Sequence, residues 1–338
     1  MGHGTRTRRA ATTAVLLAAT VTTSLMTGCT THTGGASVDN RSPGGAPSKR
    51  PVPRHSIAQG GPKGTGPVLA VKIDNASMAR PQTGLDSADV VYAEQVEGGL
   101  SRLVAVYASK LPDAVGPVRS ARESDLELLR QFDKPTLAFS GAQSKLLPLI
   151  DKAPLQPRTP DNTSDAFFRA PDRPAPHNLY LHPKALLPST PGTTALTAGF
   201  TYGAAPSGGR PQNSLTVRYP AAGFTFTWSA ARSRWLVSMD GSSTPTVTSG
   251  GQQVAPATVV VQHVKVRPSA FHDFLGNNTP YTETVGSGKA EVLRNGRAFD
   301  ATWSRARADE GTTFTTPEGA PLNFAQGQVW VVFAPTAG

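Results

Sequence analysis

Gly116-Pro117-Val118-Arg119-Ser120-Ala121-Arg122 is the segment of this chain best suited to chemistry with an anion. Two guanidinium groups three residues apart offer forked, bidentate recognition of a carboxylate or phosphate. The following residues predict a helix over 120–132, with Ser120 and Glu123 at capping-box spacing and Leu126, Leu129 and Phe132 on one apolar face. Free N–H groups in a first helical turn favour an anion, so Arg119, Ser120 and Arg122 are the leading candidates for a cradle. Arg80 and Arg102 lie in neighbouring motifs and join that set. A purely structural use has equal weight: each Arg pairs with a local acid such as Asp89, Glu97 or Glu123. Residues 67–190 carry 14 basic and 14 acidic side chains, a balance that allows such a network.

Asp74-Asn75 closes the first predicted strand, and strand ends of open α/β sheets are where ligands collect. Asp74 is a candidate base or cation holder, with Asn75, Arg80 and Gln82 as crevice residues. The alternative use of Asp74-Asn75 is an Asx turn. Glu94 and Glu97 are three apart on a strand and should point to opposite faces, unless the Glu97-Gly98-Gly99 bend re-aims Glu97. Asp74 and Glu97 are therefore the candidate catalytic carboxylates, and whether the chain is an enzyme stays open. No Gly-x-Ser-x-Gly elbow occurs. His177 and His182 sit five apart in a proline-rich run without an obvious third ligand, so neither metal nor cofactor is expected.

These residues need elements to hold them. From 67 to about 188 strands and helices alternate: strands at 68–73, 89–96 and 100–108, the helix at 120–132, a strand at 136–140 and a short helix at 142–150. The first strand is apolar on both faces, as a buried strand would be. From 153 to 188 prolines dominate and irregular structure is expected, although His177-Asn178-Leu179-Tyr180 could dock on the core. Beyond 193 the pattern is short strands alone, at 214–219, 223–228, 235–239, 258–266, 290–294, 298–304 and 328–333, with Asn295-Gly296 as a two-residue hairpin turn. Phe224, Phe226, Trp228, Trp235 and Trp303 read as core. The fold class is α+β overall: a mixed α/β domain at 67–190, then an all-β sandwich or barrel at 191–338.

Composition narrows the function. The 338 residues include 33 Gly, 30 Pro and one Cys, which excludes coiled coil, collagen and a disulfide framework. The net charge of +10 is concentrated at the start: residues 1–28 carry three Arg and no acid, 30–66 a balance of +4, and 67–338 only +3. The folded part is thus no polyanion binder, and nucleic acid is not an expected partner. Arg6, Arg8 and Arg9 followed by an uncharged run at 10–25 make a signal peptide over 1–28. Leu25-Met26-Thr27-Gly28-Cys29 resembles a lipobox, which implies lipidation of Cys29. Acylated Cys29 and the Gly/Pro/Ser-rich 29–66 would then form an anchor and a flexible tether. Sec and twin-arginine export both remain open.

A series of motifs follows one order: Lys72-Ile73-Asp74-Asn75, Ala79-Arg80-Pro81-Gln82-Thr83-Gly84-Leu85, Ala88-Asp89-Val90-Val91-Tyr92, Glu97-Gly98-Gly99-Leu100-Ser101-Arg102 and Gly116-Pro117-Val118-Arg119-Ser120-Ala121-Arg122. The series resembles the YerB-like lipoproteins, a bacterial family of unknown function (DUF3048), over most of 67–190. The second block is similar to the family's C-terminal domain at Asn295-Gly296 and Gly327-Gln328-Val329-Trp330. Ser101 stands where the pattern favours Thr. The resemblance implies a two-domain envelope lipoprotein, lipid-anchored on the extracytoplasmic face of the cell membrane, and brings no reaction with it. With the residues above, the expected function is binding an anionic envelope component, such as a phosphate-bearing wall polymer or its lipid-linked precursor. The alternatives are an enzyme modifying such a polymer and a structural partner of another envelope protein.

Overall fold

The apolar runs become a sheet that is buried on both faces. Strand β1 (Leu69–Asp74) lies between β3 (Ser101–Tyr107), antiparallel, and β4 (Thr136–Ala138), parallel; β2 (Val90–Gln95) pairs with the other edge of β3. Helices α1 (Glu123–Leu129) and α2 (Leu147–Lys152) flank β4, and β5 (Gln156–Arg158) extends the sheet. The proline-rich stretch contains a hairpin of β6 (Phe167–Arg169) with β7 (Leu179–Leu181) and one turn of helix, α3 (Pro183–Leu186). All of this is seen in a computed structural model that describes residues 66–336 apart from Ser243, Pro245 and Phe274. The expected leader, Cys29 and the expected tether up to residue 65 lie outside the described residues.

The second block adds β8 (Arg210–Pro211), β9 (Ser214–Tyr219), β10 (Ala222–Ser229), β11 (Arg234–Met239), β12 (Thr258–Val264), β13 (Val266–His272), β14 (Asn278–Thr282), β15 (Gly286–Arg294), β16 (Arg297–Arg305), β17 (Thr313–Thr315) and β18 (Val329–Pro335). Asn295 and Gly296, at φ 52° and 71°, make the tight β15–β16 turn, where two left-handed residues suit the twist of the strands. The expected second-block sandwich or barrel is replaced by a shared sheet. β18 is parallel to β12 on one side and to β2 on the other, with Val329–Val332 opposite Val90–Ala93. One sheet of order β17-β16-β15-β12-β18-β2-β3-β1-β4-β5, with β8 on β16, therefore runs through both sequence blocks. The protein is strand-rich with few helices, an α+β arrangement.

Each face of that sheet has its own core. On one, the β9–β10–β11 meander lays Phe224, Phe226, Trp235 and Val237 over Ile73, Val91, Leu103 and Val332, and both Phe rings meet Trp330 edge-on at 6.0 Å. On the other, Leu128 and Leu129 of α1 and Ile150 of α2 cover Val68, Ala70, Val104 and Val106. Two helix limits differ from expectation. Residues 118–121 are bonded in extended form, Arg119 N–H to Lys72 O at 2.8 Å and Ala121 N–H to Gly141 O at 3.0 Å. The α1 helix therefore starts at Glu123, with the Arg122 N–H donating to Asp125 Oδ2 at 2.7 Å. Ser120 faces Ser140, Oγ to Oγ 3.3 Å, and does not cap the helix. In α2, Pro148 sits in the first turn, where its missing N–H is harmless, and the helix runs from Leu147 instead of 142.

Candidate functional site

Register decides which polar residues meet. Arg102 of β3 stands opposite Asp74 of β1 and opposite Glu94 of β2, so the three side chains share the α1-covered face at one end of the sheet. There the apolar face gives way to a cavity of about 840 Å³. Its walls come from the strand ends, the 119–123 strap, the turn after Val96, the loop carrying His177 and, from the second block, Phe271, Asp273, Leu275 and Thr279 of the β13–β14 hairpin. Thr282 N–H to Ser124 Oγ at 2.9 Å and Tyr281 Oη–H to Glu127 Oε2 at 2.9 Å fix that hairpin on α1.

Asp74, Glu97, Arg102, Arg119, Ser120 and Arg122 all line the cavity, but in different roles. Arg122 forks onto Glu97, Nε to Oε1 2.6 Å and Nη2 to Oε2 2.8 Å, and Thr279 donates to the same carboxylate at 2.5 Å. Burial acts to raise the Glu97 pKa, but these hydrogen bonds and the Arg122 charge outweigh it and hold the carboxyl below its usual range. This is the structural pairing anticipated for the arginines. Gly98, at φ 67°, supplies the bend that turns Glu97 toward Arg122. Arg119 Nε lies 3.3 Å from Asp74 Oδ2, and its terminal nitrogens make no hydrogen bond among the described residues.

Arg102 is the exception. Its Nη1 donates to Ser120 O at 3.0 Å, and no carboxylate lies in ion-pair range of it among the described residues. Burial first, then repulsion from Arg122 and Arg119, push its pKa down to about 10 against the attraction of Glu97 and Asp74. The helix N-terminus contributes no cradle, because its first turn carries Glu123 and Asp125. Arg80, Asn75 and Gln82 are not in the cavity wall. Arg80 bonds Asn75 O at 2.6 Å and pairs with Asp240 at 2.7 Å, Gln82 donates to Asn75 Oδ1 at 2.8 Å, and Asn75 donates to Ser101 at 2.9 Å. They stitch the β1 end to its neighbours.

Three features of the site were invisible in the sequence. His177 Nδ1 lies 2.8 Å from Asp74 Oδ2 across 103 residues, while His182 is stacked on Phe168 and has its own contact to Asp113 O. The only sign was an apolar pair, Leu179-Tyr180, able to bring that loop onto the core. Glu123 Oε2 and Gln143 Oε1 are buried acceptors without a hydrogen-bond partner among the described residues, and both residues line the cavity. Outside the cavity lining, fully buried Lys72 contacts Glu94 and, at 2.7 Å, Asp125. Burial raises the Glu94 pKa, Lys72 opposes it and Asp125 adds to it. Glu94 and Glu97 thus serve separate networks. Among the described residues no three His, Cys, Asp or Glu side chains gather as a metal site.

Comparison with known proteins places this architecture. The N-terminal domain model of the family described as Protein of unknown function (DUF3048) matches residues 57–195, and the C-terminal domain model matches residues 215–331. A Bacillus subtilis (strain 168) protein named "Putative lipoprotein YerB" is 36% identical over 112 residues, covering 33% of this chain and 34% of its own length. The chain thus spans about a third of the curated relative it matches. The crystal structure of the YerB protein from Bacillus subtilis is similar with a TM-score of 0.66 and 20% identity, over 80% of this chain and 91% of that one. At that identity the likeness is one of fold.

Proposed function

The chain belongs to the DUF3048 family, and from that premise we propose that it is a lipid-anchored protein of the extracytoplasmic membrane face whose cavity binds an anionic envelope component. Anchoring rests on Cys29 behind a signal-type leader and on the lipoprotein name of the Bacillus subtilis relative. In a bacterial host, Cys29→Ala is expected to move the protein out of the membrane fraction. Retention in washed membranes with an acylated mass would overturn the anchor.

The single observation that carries anion binding is Arg102, a partly buried cation with no acid partner among the described residues, in the same cavity lining as Arg119, whose terminal nitrogens make no hydrogen bond among them. A guanidinium left unpaired in a cavity is poised for an external oxyanion. The lining is not a positive patch, since Glu123 and Asp273 also face it, so selectivity comes from position and not from bulk charge. Calorimetric titration with inorganic phosphate should show saturable binding that weakens with added salt and depends on Arg102. Absence of phosphate binding ends this reading.

A second reading, an enzyme acting on the same ligand class, is favoured by the Asp74–His177 pair. A carboxylate accepting from Nδ1–H leaves the Nε2 lone pair free as a base. In a hydrolysis, water would attack the electrophilic centre as its proton passes to Nε2, and the imidazolium would return that proton to the departing oxygen. His177→Ala should then abolish turnover of an envelope polymer while phosphate binding persists. Unchanged turnover in that variant excludes the dyad.

A further inference from the structure

We infer that the ligand is an amphiphile, a phosphate head on a hydrocarbon chain, which enters the cavity head first; this rests on the anion-binding reading above. Arg102 and Arg119 are half-buried, whereas two apolar side chains of the same lining, Leu100 and Leu275, are exposed. Arg102 near the start of β3 and Arg119 in the 119–123 strap share the lining with the orphaned acceptors Glu123 Oε2 and Gln143 Oε1. Two guanidinium groups with unengaged nitrogens match a doubly charged phosphate and its three oxygens better than a single carboxylate. The orphaned acceptors suit hydroxyl or amino donors on the same head, as a sugar phosphate would carry.

The same lining carries the apolar Val96, Leu100, Phe271 and Leu275. Leu275 is 71% exposed and Leu100 45%, one from each of the two sequence blocks. Two of the six exposed large apolar side chains of the described residues thus line this one site. Large leucines left in water at a cavity rim mark a surface that something covers. The concavity, its volume of about 840 Å³ and the half-buried arginines of its lining fit a small amphiphile better than a flat protein partner.

The purified full chain is titrated with dodecyl phosphate below its micelle concentration, with inorganic phosphate, and with dodecyl maltoside as a neutral chain. Dodecyl phosphate should bind at least about tenfold more tightly than inorganic phosphate, since each buried methylene adds affinity. The double variant Leu100→Ser and Leu275→Ser changes exposed side chains and should leave the fold and phosphate affinity intact. It should remove the chain-dependent gain. Equal affinity for the two phosphates overturns the amphiphile while leaving the anion site standing. Binding of neither phosphate removes the anion reading itself. Dodecyl maltoside binding as tightly as dodecyl phosphate would mean an apolar slot indifferent to the head, which also overturns the inference.

Discussion

Lys72→Met loses about 3–5 kcal/mol of folding stability at neutral pH, the usual consequence of leaving buried carboxylates without their cation. Lys72 is the buried cation that contacts both Glu94 and Asp125. Asp125 in turn holds the Arg122 N–H at the start of α1, so the damage reaches the wall of the cavity. The sign of the pH dependence follows from Glu94, whose pKa burial raises. A raised carboxyl pKa means the folded state binds its proton more tightly. Its favourable contribution is complete below the unfolded carboxylate pKa and fades as pH rises through the folded value. The Lys72→Met defect should therefore shrink as pH falls toward that range. Glu94→Gln is the control: it removes a charge that burial opposes, keeps the Lys72–Asp125 pair, and should cost no more than about 1 kcal/mol. Urea unfolding of the three proteins across pH checks both statements. A neutral Lys72→Met would mean that the carboxylates are already protonated in the folded state.

Arg102→Gln separates binding from stability. Loss of a charge-assisted contact to the phosphate should weaken anion binding roughly ten- to hundredfold. The unliganded protein should be no less stable than wild type, because the Arg102 charge is opposed by burial and by its neighbours Arg122 and Arg119. Thermal melts with and without phosphate read both quantities, since a ligand specific to the folded state raises the melting temperature. Arg122 gives the contrast, for its loss strands Glu97 between Thr279 and solvent-poor walls. If Arg102→Gln lowers the baseline by several kcal/mol and leaves the phosphate response unchanged, Arg102 is a structural ion and the cavity is not an oxyanion site.

Much of the framework was legible because it depends on neighbours in sequence. The apolar runs that became β1, β2 and β3 carry their own burial signal, and the Asn295-Gly296 turn needs only two residues able to take positive φ. The helix start was misplaced for a local reason with a distant cause. Ser120 and Glu123 have capping-box spacing, but the backbone at 118–121 is bonded to β1 and to Gly141 before any helix can begin. The β13–β14 hairpin went unseen because its burial alternates poorly and its anchor points, Ser124 and Glu127, belong to the other block.

The sequence by itself determined the strand runs, the turn residues and the gathering of arginines near two strand ends, since apolar periodicity and backbone preference act over a few residues. Which arginine stays unpaired was decided by tertiary structure alone. Arg122 meets Glu97 because a glycine bend turns that carboxylate inward, and Arg102 falls between Asp74 and Glu94 through strand register without an ion pair to either. His177 reaches Asp74 from 103 residues away, and β18 slides between β2 and β12 to join the two blocks. Those choices rest on sheet order and register, which minimise the exposed edge and apolar surface of the whole chain, and no short window of residues carries that information.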